Sequence, residues 1–511
     1  MQPAPYKPLT YLEANAEADP DRAAVIEAEV ETSFAGLLAR VRGLMSLLRG
    51  HRLQRGEVVA VSLPNVCSYV ALEIAVPALG AVIMPLPPAL GPHEIGSALE
   101  RSGAVIAVTT SEGIAHGVAR QATAVREVLT VPLADQRSPL DPPQATDTGP
   151  DDVVQIALTS GTTGSPKLAA FTAELKQVTF EGFTARLAID AGDRVLPLSP
   201  ITQGAGEMFL YSLRRGACLV MSGESRFAPE RSLALAEQSR ATVIGGVPTM
   251  LSRMLDSPAF ADADLSSLRL SAVAGAPLHP ELARAWEERT GAPIISFYGA
   301  MDIGQLAVPS PEDPADKRWH TVGRPHASAE WAILDQQGGE LAAGSEGEIC
   351  MRGPLVQGRY WDRESGPYAD DGWAHFGDLG FIDDDGYLHV TGRVKDTIIR
   401  GGNNINPYEL EEAIRDHPAV SEVAIVGRPD ADVGERAVAF VVPSAEAAFE
   451  LEQLTSFLDE RGFAHYKWPE ELHQLDELPL GPTGKLLRAE LRDLASEDSA
   501  TESEGHANPH Q

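Results

Sequence analysis

The densest chemistry in the chain lies in Thr159-Ser160-Gly161-Thr162-Thr163-Gly164-Ser165-Pro166-Lys167, which follows the apolar run VVQIAL. It combines two glycines, several hydroxyls and one lysine. A strand opening into such a loop can wrap backbone N–H groups around phosphate oxygens. Glycine permits the close approach, hydroxyls donate further bonds, and the lysine supplies charge. The spacing is not GxxxxGK[ST], so this is no Walker A loop. By composition alone, a flexible Gly/Ser/Thr loop would read the same way.

Such a loop needs a scaffold, and the chain supplies one. Short apolar runs (EVVAVSLP from Glu57, GAVIAVTT from Gly103, RVLPLSP from Arg194, ATVIGGVP from Ala241, LRLSAVAG from Leu268) alternate with helix-length amphipathic segments such as FAGLLARVRGLMSLLRG from Phe34. Continuous apolar strands separated by helices predict parallel sheets covered on both faces. After about Gly323 the segments shorten and turns such as DQQGGE, DDGW and DDDGY appear, which suits antiparallel strands. Beyond Gly392, a helix at PYELEEAIRDHPAV, strands around VSEVAIVG and RAVAFVVP, a helix from Leu451 and a final loop and helix, PLGPTGKLLRAELRDLA, predict a small α+β domain. The polar, acidic ending SEDSATESEGHANPHQ predicts a disordered tail.

Composition narrows the partners. With 511 residues the chain exceeds a single core, and 43% hydrophobic and 22% charged residues are those of an ordinary globular protein. A formal charge of -32 argues against nucleic acid as a partner. It also means that any site for a phosphorylated ligand must build its own positive field. Cys67, Cys218 and Cys350 form no metal-ligand or disulfide spacing, which fits a reducing cytoplasm. MQPAPYKPLTYLEAN does not read as a signal peptide. The apolar stretch from Tyr69 carries Glu73 and is broken by Pro77, Pro85, Pro87 and Pro88, so it predicts a buried helix and strand rather than a membrane span.

TSGTTGSPK resembles the phosphate loop of the adenylate-forming superfamily, which includes acyl-CoA synthetases, adenylation domains of peptide synthetases, and luciferases. Further motifs follow in that family's order: AGAPL from Ala274, FYGAMD from Phe297, GEICMRGP from Gly347, GWAHFGDLGFIDDDGYLHVTGRVKDTIIRGGNNINPYELE from Gly372, and PTGK from Pro482. The likeness covers nearly the whole chain except the tail. It implies an α/β multidomain fold. A large N-terminal domain over 1–392 would hold two αβ-layered subdomains and a small β-rich one, a mobile α+β domain would span 393–495, and the acidic tail 496–511. The active site would lie between the two domains.

The resemblance also assigns residues. Thr159, Ser160, Gly161, Thr162, Thr163, Gly164 and Lys167 would hold the phosphates of ATP. Gly275, Ala276 and Pro277 would lie along adenine, with Tyr298 and Gly299 beside them. Asp378 would bind the ribose, since a carboxylate accepts bonds from both hydroxyls, and Arg393 would be the second ribose contact. Asp302 would hold Mg²⁺, Lys395 would be the hinge, and Gly401 and Gly402 would flank the pantetheine arm of coenzyme A. Lys485 would offset the repulsion between a carboxylate and the α-phosphate. Alone, each has a bland reading: core aromatic for Tyr298, surface ion pair for Arg393, hairpin turn for the glycines.

Two departures stand out. YGxTE reads Tyr298-Gly-Ala-Met-Asp302, so Met301 removes a hydroxyl and Asp302 replaces a longer carboxylate. In PLSPITQGAGE, Pro200 and Ile201 stand where relatives of the family carry histidine and, in siderophore ligases, asparagine. Ser199, Thr202, Gln203 and Glu207 make this region more polar than a fatty-acid tunnel needs. The expected function is activation of a carboxylic acid as acyl-AMP followed by transfer to coenzyme A. A stand-alone enzyme that loads a carrier protein and a degenerate nucleotide binder are the rivals, with a luciferase-type oxygenase a distant fourth. On this reading Lys485→Ala should slow adenylate formation by an amount on the order of 10²- to 10³-fold, as loss of one transition-state donor does. Thioester formation from supplied acyl-AMP should be spared, and equal damage to both half-reactions would refute the assignment.

Overall fold

The computed structural model describes residues 6–111, 113–131, 144–159, 167–202, 204–224, 226–300, 304–353, 356, 359–362, 369, 371–401, 403–430, 432–444, 449–480 and 486–504. The chain divides into two compact units. The first comprises 1–331, 350–374 and 384–388, and the second 332–349, 375–383 and 389–511. The division therefore runs through the short β-rich segments, several of which also contribute to the second unit.

The first unit is built on two seven-stranded sheets. One runs in the order Ile294–Ser296, Leu270–Val273, Val243–Gly246, Arg194–Pro197, Cys218–Met221, Ala23–Glu27, Val30–Ser33. Its strands are parallel except for the last, which closes the edge as an antiparallel partner of Ala23–Glu27. The other runs Arg359–Tyr360, Lys167–Thr172, Val153–Thr159, Val82–Pro85, Val58–Ser62, Ile106–Thr110, Glu127–Val131. Its first two strands are antiparallel to their neighbours and the remainder parallel. The predicted parallel sheets are present, each with an antiparallel edge.

Side-chain alternation explains why these strands read as continuous apolar runs. Val25, Val195, Leu219 and Val243 face one core while Ile26, Leu196, Val220 and Ile244 face another. In the second sheet Val59 and Val61 join the first of those cores, and Val58 and Ala60 join a third. Both sheets thus share a central core, and each has a separate outer one. Helices Phe34–Gly50 and Cys67–Ala78 lie in the shared layer. The Ser33 side chain caps the first by accepting from Gly36 N at 3.2 Å, satisfying a backbone donor that the helix leaves open. Nearly every residue of Cys67–Ala78 is buried, as the apolar stretch from Tyr69 predicted. No helix among the described residues is long and apolar enough to cross a membrane. All three cysteines are buried, and burial pushes the Cys218 thiol up to about 12.

Between the sheets lies a group of buried charges. Lys176, on helix Ala173–Arg186, has no exposed surface, and its ammonium donates to Glu73 on helix Cys67–Ala78 and to Gln155 on strand Val153–Thr159. Gln155 Nε2 donates to Glu207 Oε1 at 2.8 Å, and Lys176 Nζ lies 4.0 Å from the same oxygen. Burial opposes the lysine charge, but the neighbouring Glu73, Tyr6 and Glu207 hold its pKa above the ordinary value. Burial pushes Glu207 up to about 7, with Lys176 pulling against it. Glu207 is therefore a core residue held within this network.

The second unit holds a sheet in which strands Val420–Asp430 and Gly434–Pro443 form a long antiparallel hairpin, with Glu471–Gln474 parallel to the latter. Helices Pro407–Arg415, Leu451–Glu460 and Arg488–Glu504 accompany it. The last helix runs into the segment read as a disordered tail from 496. Leu491 and Ala495 are fully buried and anchor it, and the Ala- and Glu-containing continuation carries no helix breaker.

The charged core generates a pH prediction. A carboxyl group whose folded pKa is raised binds a proton that the unfolded chain releases, so stability falls as pH rises from about 4.5 to about 7. At ~1.4 kcal/mol per pKa unit the penalty above pH 7 is on the order of a few kcal/mol. Glu207→Gln keeps an acceptor for Gln155 and removes that penalty. Its melting temperature relative to wild type should therefore be higher at pH 8 than at pH 5. The same difference at both pH values would contradict the assignment.

Candidate functional site

In the first unit the predicted phosphate loop is bracketed by two paired strands. Thr159 and Lys167 are register partners across the antiparallel pair Val153–Thr159 and Lys167–Thr172. Ser160, Gly161, Thr162, Thr163 and Gly164 lie outside the described residues, as does the side chain of Thr159. Lys167 is half-buried. Its Nζ donates to Tyr360 Oη at 3.0 Å and stands 4.9 Å from that ring's centroid. Tyr360 reaches it because Arg359–Tyr360 pairs with the same strand, Tyr360 opposite Ala169. The phenol thus orients the lysine, a contact that the motif did not reveal.

Gly275, Ala276 and Pro277 follow the carboxyl end of Leu270–Val273, and Tyr298 and Gly299 follow that of Ile294–Ser296. These strands are adjacent and parallel, with Val273 opposite Ser296, so the structure brings the two predicted adenine segments to the same end of one sheet. In open α/β sheets that end is where ligands bind. Gly275 takes φ +85°, a conformation that costs other residues and suits glycine. Phe297 and Tyr298 divide labour: Phe297 is buried at 5.0 Å from Phe183, whereas Tyr298 is half-buried.

The carboxyl end of Arg194–Pro197 is held by a residue the sequence reading passed over. Buried Asn65 donates Nδ2 to Ser199 O at 3.0 Å and accepts from Ile201 N at 2.9 Å. It follows strand Val58–Ser62 of the other sheet, so the clamp ties one sheet to the loop of the next. Its signal was the SLPN that follows that strand, since a buried side-chain amide needs backbone partners. Ser199 and Thr202 are buried, and Gln203 is outside the described residues. A Cβ on Gly206 would come 2.3 Å from Pro200 O, so only glycine lets this loop close on itself.

In the second unit the two predicted ribose residues are together. Asp378, on strand Ala374–Ile382, is buried, and Arg393 ends strand Leu388–Arg393 with its Nε 2.9 Å from Asp378 Oδ1. Glu348 holds the residues that precede Asp378 on the strand. It accepts from Gly377 N at 3.1 Å and lies 2.8 Å from His375 Nδ1. The GE of GEICMRGP thereby holds the stretch of strand just before Asp378. Lys395 is exposed in the 3₁₀ turn Val394–Asp396. Gly401, at φ +55°, sits in the tight turn between Ile398–Arg400 and Asn403–Ile405, whose register pairs Arg400 with Asn403. Gly402, Asp302 and Lys485 lie outside the described residues, and with Asp302 the expected Mg²⁺ ligand.

Residues 12–361 match the AMP-binding enzyme family and residues 409–485 its C-terminal domain. The chain is 32% identical over 481 residues to a feruloyl-CoA synthase of an Amycolatopsis species, covering 93% of this chain and 96% of that protein. It is 31% identical over 503 residues to indoleacetate–CoA ligase of Aromatoleum aromaticum, covering 95% and 98%. The crystal structure of the anthranilate CoA ligase AuaEII with anthranoyl-AMP superposes with a TM-score of 0.88 at 25% identity, covering 98% of this chain and 99% of that one. ATP-bound MatB from Rhodopseudomonas palustris superposes with a TM-score of 0.87 at 28% identity, covering 97% and 100%. Matched along its length by relatives named as CoA ligases and CoA synthases, the chain belongs to the AMP-binding enzyme family and is of the acyl-CoA synthetase type.

Proposed function

We propose that the protein is an AMP-forming carboxylate–CoA ligase whose acid carries an aromatic ring. The observation that carries this reading is the end-to-end match to acid–CoA ligases, several of them named for feruloyl, indoleacetate, naphthoate and anthranilate substrates. The carrier-loading and degenerate alternatives have no comparable support. In the first step an acid carboxylate attacks the α-phosphate of ATP, the α–β phosphoanhydride bond breaks, and acyl-AMP and pyrophosphate form. In the second the thiol of coenzyme A attacks the acyl carbon, AMP leaves with the bonding pair, and the thiol proton passes to solvent. Mg²⁺ would be held by Asp302 and would supply charge neutralisation on the phosphates.

The chain's own residues orient and neutralise. Lys167, steered by Tyr360, meets phosphate oxygens beside the loop at 159–164. Gly275, Ala276, Pro277, Tyr298 and Gly299 line adenine. Asp378 accepts from the ribose hydroxyls, with Arg393 beside it. Lys485 offsets the repulsion between the two anions of the first step. Lys395 is the hinge at a functional boundary between 392 and 393, and Gly401 and Gly402 admit the pantetheine arm.

Two measurements test this. Pyrophosphate release with hydroxylamine trapping across an acid panel should favour ferulate, indoleacetate and anthranilate over octanoate, palmitate and malonate. A preference for the aliphatic acids would remove the aryl assignment. Asp378→Ala should raise the KM for ATP by about 10- to 100-fold, since a charge-assisted hydrogen bond is worth ~1.5–3 kcal/mol. An unchanged KM would take Asp378 out of the ribose site.

A further inference from the structure

A buried polar network in the second unit reaches from the turn after Arg393 to the start of the last helix. Asp396 follows exposed Lys395, yet it is only 5% exposed itself. Its Oδ1 lies 2.6 Å from Arg492 Nη2, its Oδ2 accepts from Tyr408 Oη at 3.1 Å, and Arg488 Nε stands 3.7 Å from Oδ2. Arg488, also buried, donates Nη1 to Ile425 O at 2.6 Å and Nη2 to Glu411 Oε2 at 2.7 Å. Glu411 Oε1 in turn accepts from Ile425 N at 2.6 Å.

Burying these charges costs solvation that each pair regains only while its geometry holds. The network is therefore a directional constraint, unlike the apolar packing around it. Its two ends have distinct neighbours. Asp396 directly follows Lys395. Arg488 opens helix Arg488–Glu504, three residues after Lys485. Leu486, which follows Lys485, bridges to Leu480, and Leu487 N donates to Pro479 O at 2.9 Å. Every residue from 486 to 488 is thus fixed by a pairing, a hydrogen bond or an ion pair.

We propose that Asp396 is a positioning residue: through Arg488 and Arg492 it ties the start of the last helix, which in sequence begins three residues after Lys485, to the turn carrying Lys395. This rests on the proposed ligase reading, in which Lys485 serves only the first half-reaction. Asp396 touches no substrate and acts on the step that Lys485 serves.

The test uses the full chain and both half-reactions, with folding checked by circular dichroism. Asp396→Asn keeps the shape of the side chain and removes its charge from both arginines. Misplacement of a catalytic group by about 1 Å can cost ~100-fold, so kcat for adenylate formation, read by hydroxamate trapping, should fall by about 10- to 100-fold. KM for ATP and thioester formation from supplied acyl-AMP should each stay within roughly threefold, because neither needs Lys485. Asp396→Glu should recover part of the lost rate. In a Lys485→Ala background, Asp396→Asn should add less than about twofold, as expected for residues that act as one unit. Equal losses in both half-reactions, or losses that multiply in the double variant, would reduce Asp396 to a stability anchor and overturn the proposal. If Lys485→Ala alone leaves adenylate formation intact, the ligase reading of Lys485 fails, an outcome distinct from failure of the network. Should Asp396→Asn not fold, Arg492→Met removes one of its two charge partners and is read in the same way.

Discussion

The first unit depends on one ammonium group that has no access to water. Apolar layers attract without direction, and two sheets sharing a core could slide over one another at little cost. Lys176 prevents this because a buried charge is tolerable only where its partners stand. Glu73 holds it to helix Cys67–Ala78, Gln155 to strand Val153–Thr159, and Glu207 to the short helix Gly204–Met208. Strand Val153–Thr159 ends at Thr159, opposite Lys167, so the same constraint fixes the two strand ends that frame the proposed phosphate loop. Asn65 repeats the device on a smaller scale, pinning the loop after Arg194–Pro197 from the neighbouring sheet.

Much of the layering was legible in the sequence because strands buried on both faces must read as unbroken apolar runs. Val58–Ser62, Ile106–Thr110, Arg194–Pro197, Val243–Gly246 and Leu270–Val273 all fall within runs that announced them. Which strands share a sheet was not legible, since pairing Ala23–Glu27 with Cys218–Met221 is a tertiary event with no local signal. The buried charges were hidden for a related reason. Glu73 looked like an argument against a membrane span, and Lys176 sits in AELKQVTFEG, whose polar residues suggest a solvated face. Only packing shows that they need one another. At the site, motif residues announced themselves, but their supports Tyr360, Asn65 and Glu348 did not, because a supporting contact is defined by distance in space.

Charge sharpens the demand on these supports. At a formal charge of -32 the chain repels the anionic molecules that its family handles. Local cations must therefore be held where they act rather than left to wander. Lys167 is restrained by the phenol of Tyr360. Arg393 is paired with buried Asp378, so guanidinium and carboxylate fix each other's orientation. Each unit solves the same problem with a different partner.

The three buried thiols have a practical consequence. A thiol reacts as its thiolate, and burial raises the Cys67 pKa and takes Cys218 to about 12. With Cys350 also enclosed, the folded chain offers alkylating reagents and mild oxidants no ready thiol. Covalent labelling of these positions then becomes a clock for opening of the chain, readable residue by residue without any engineered probe.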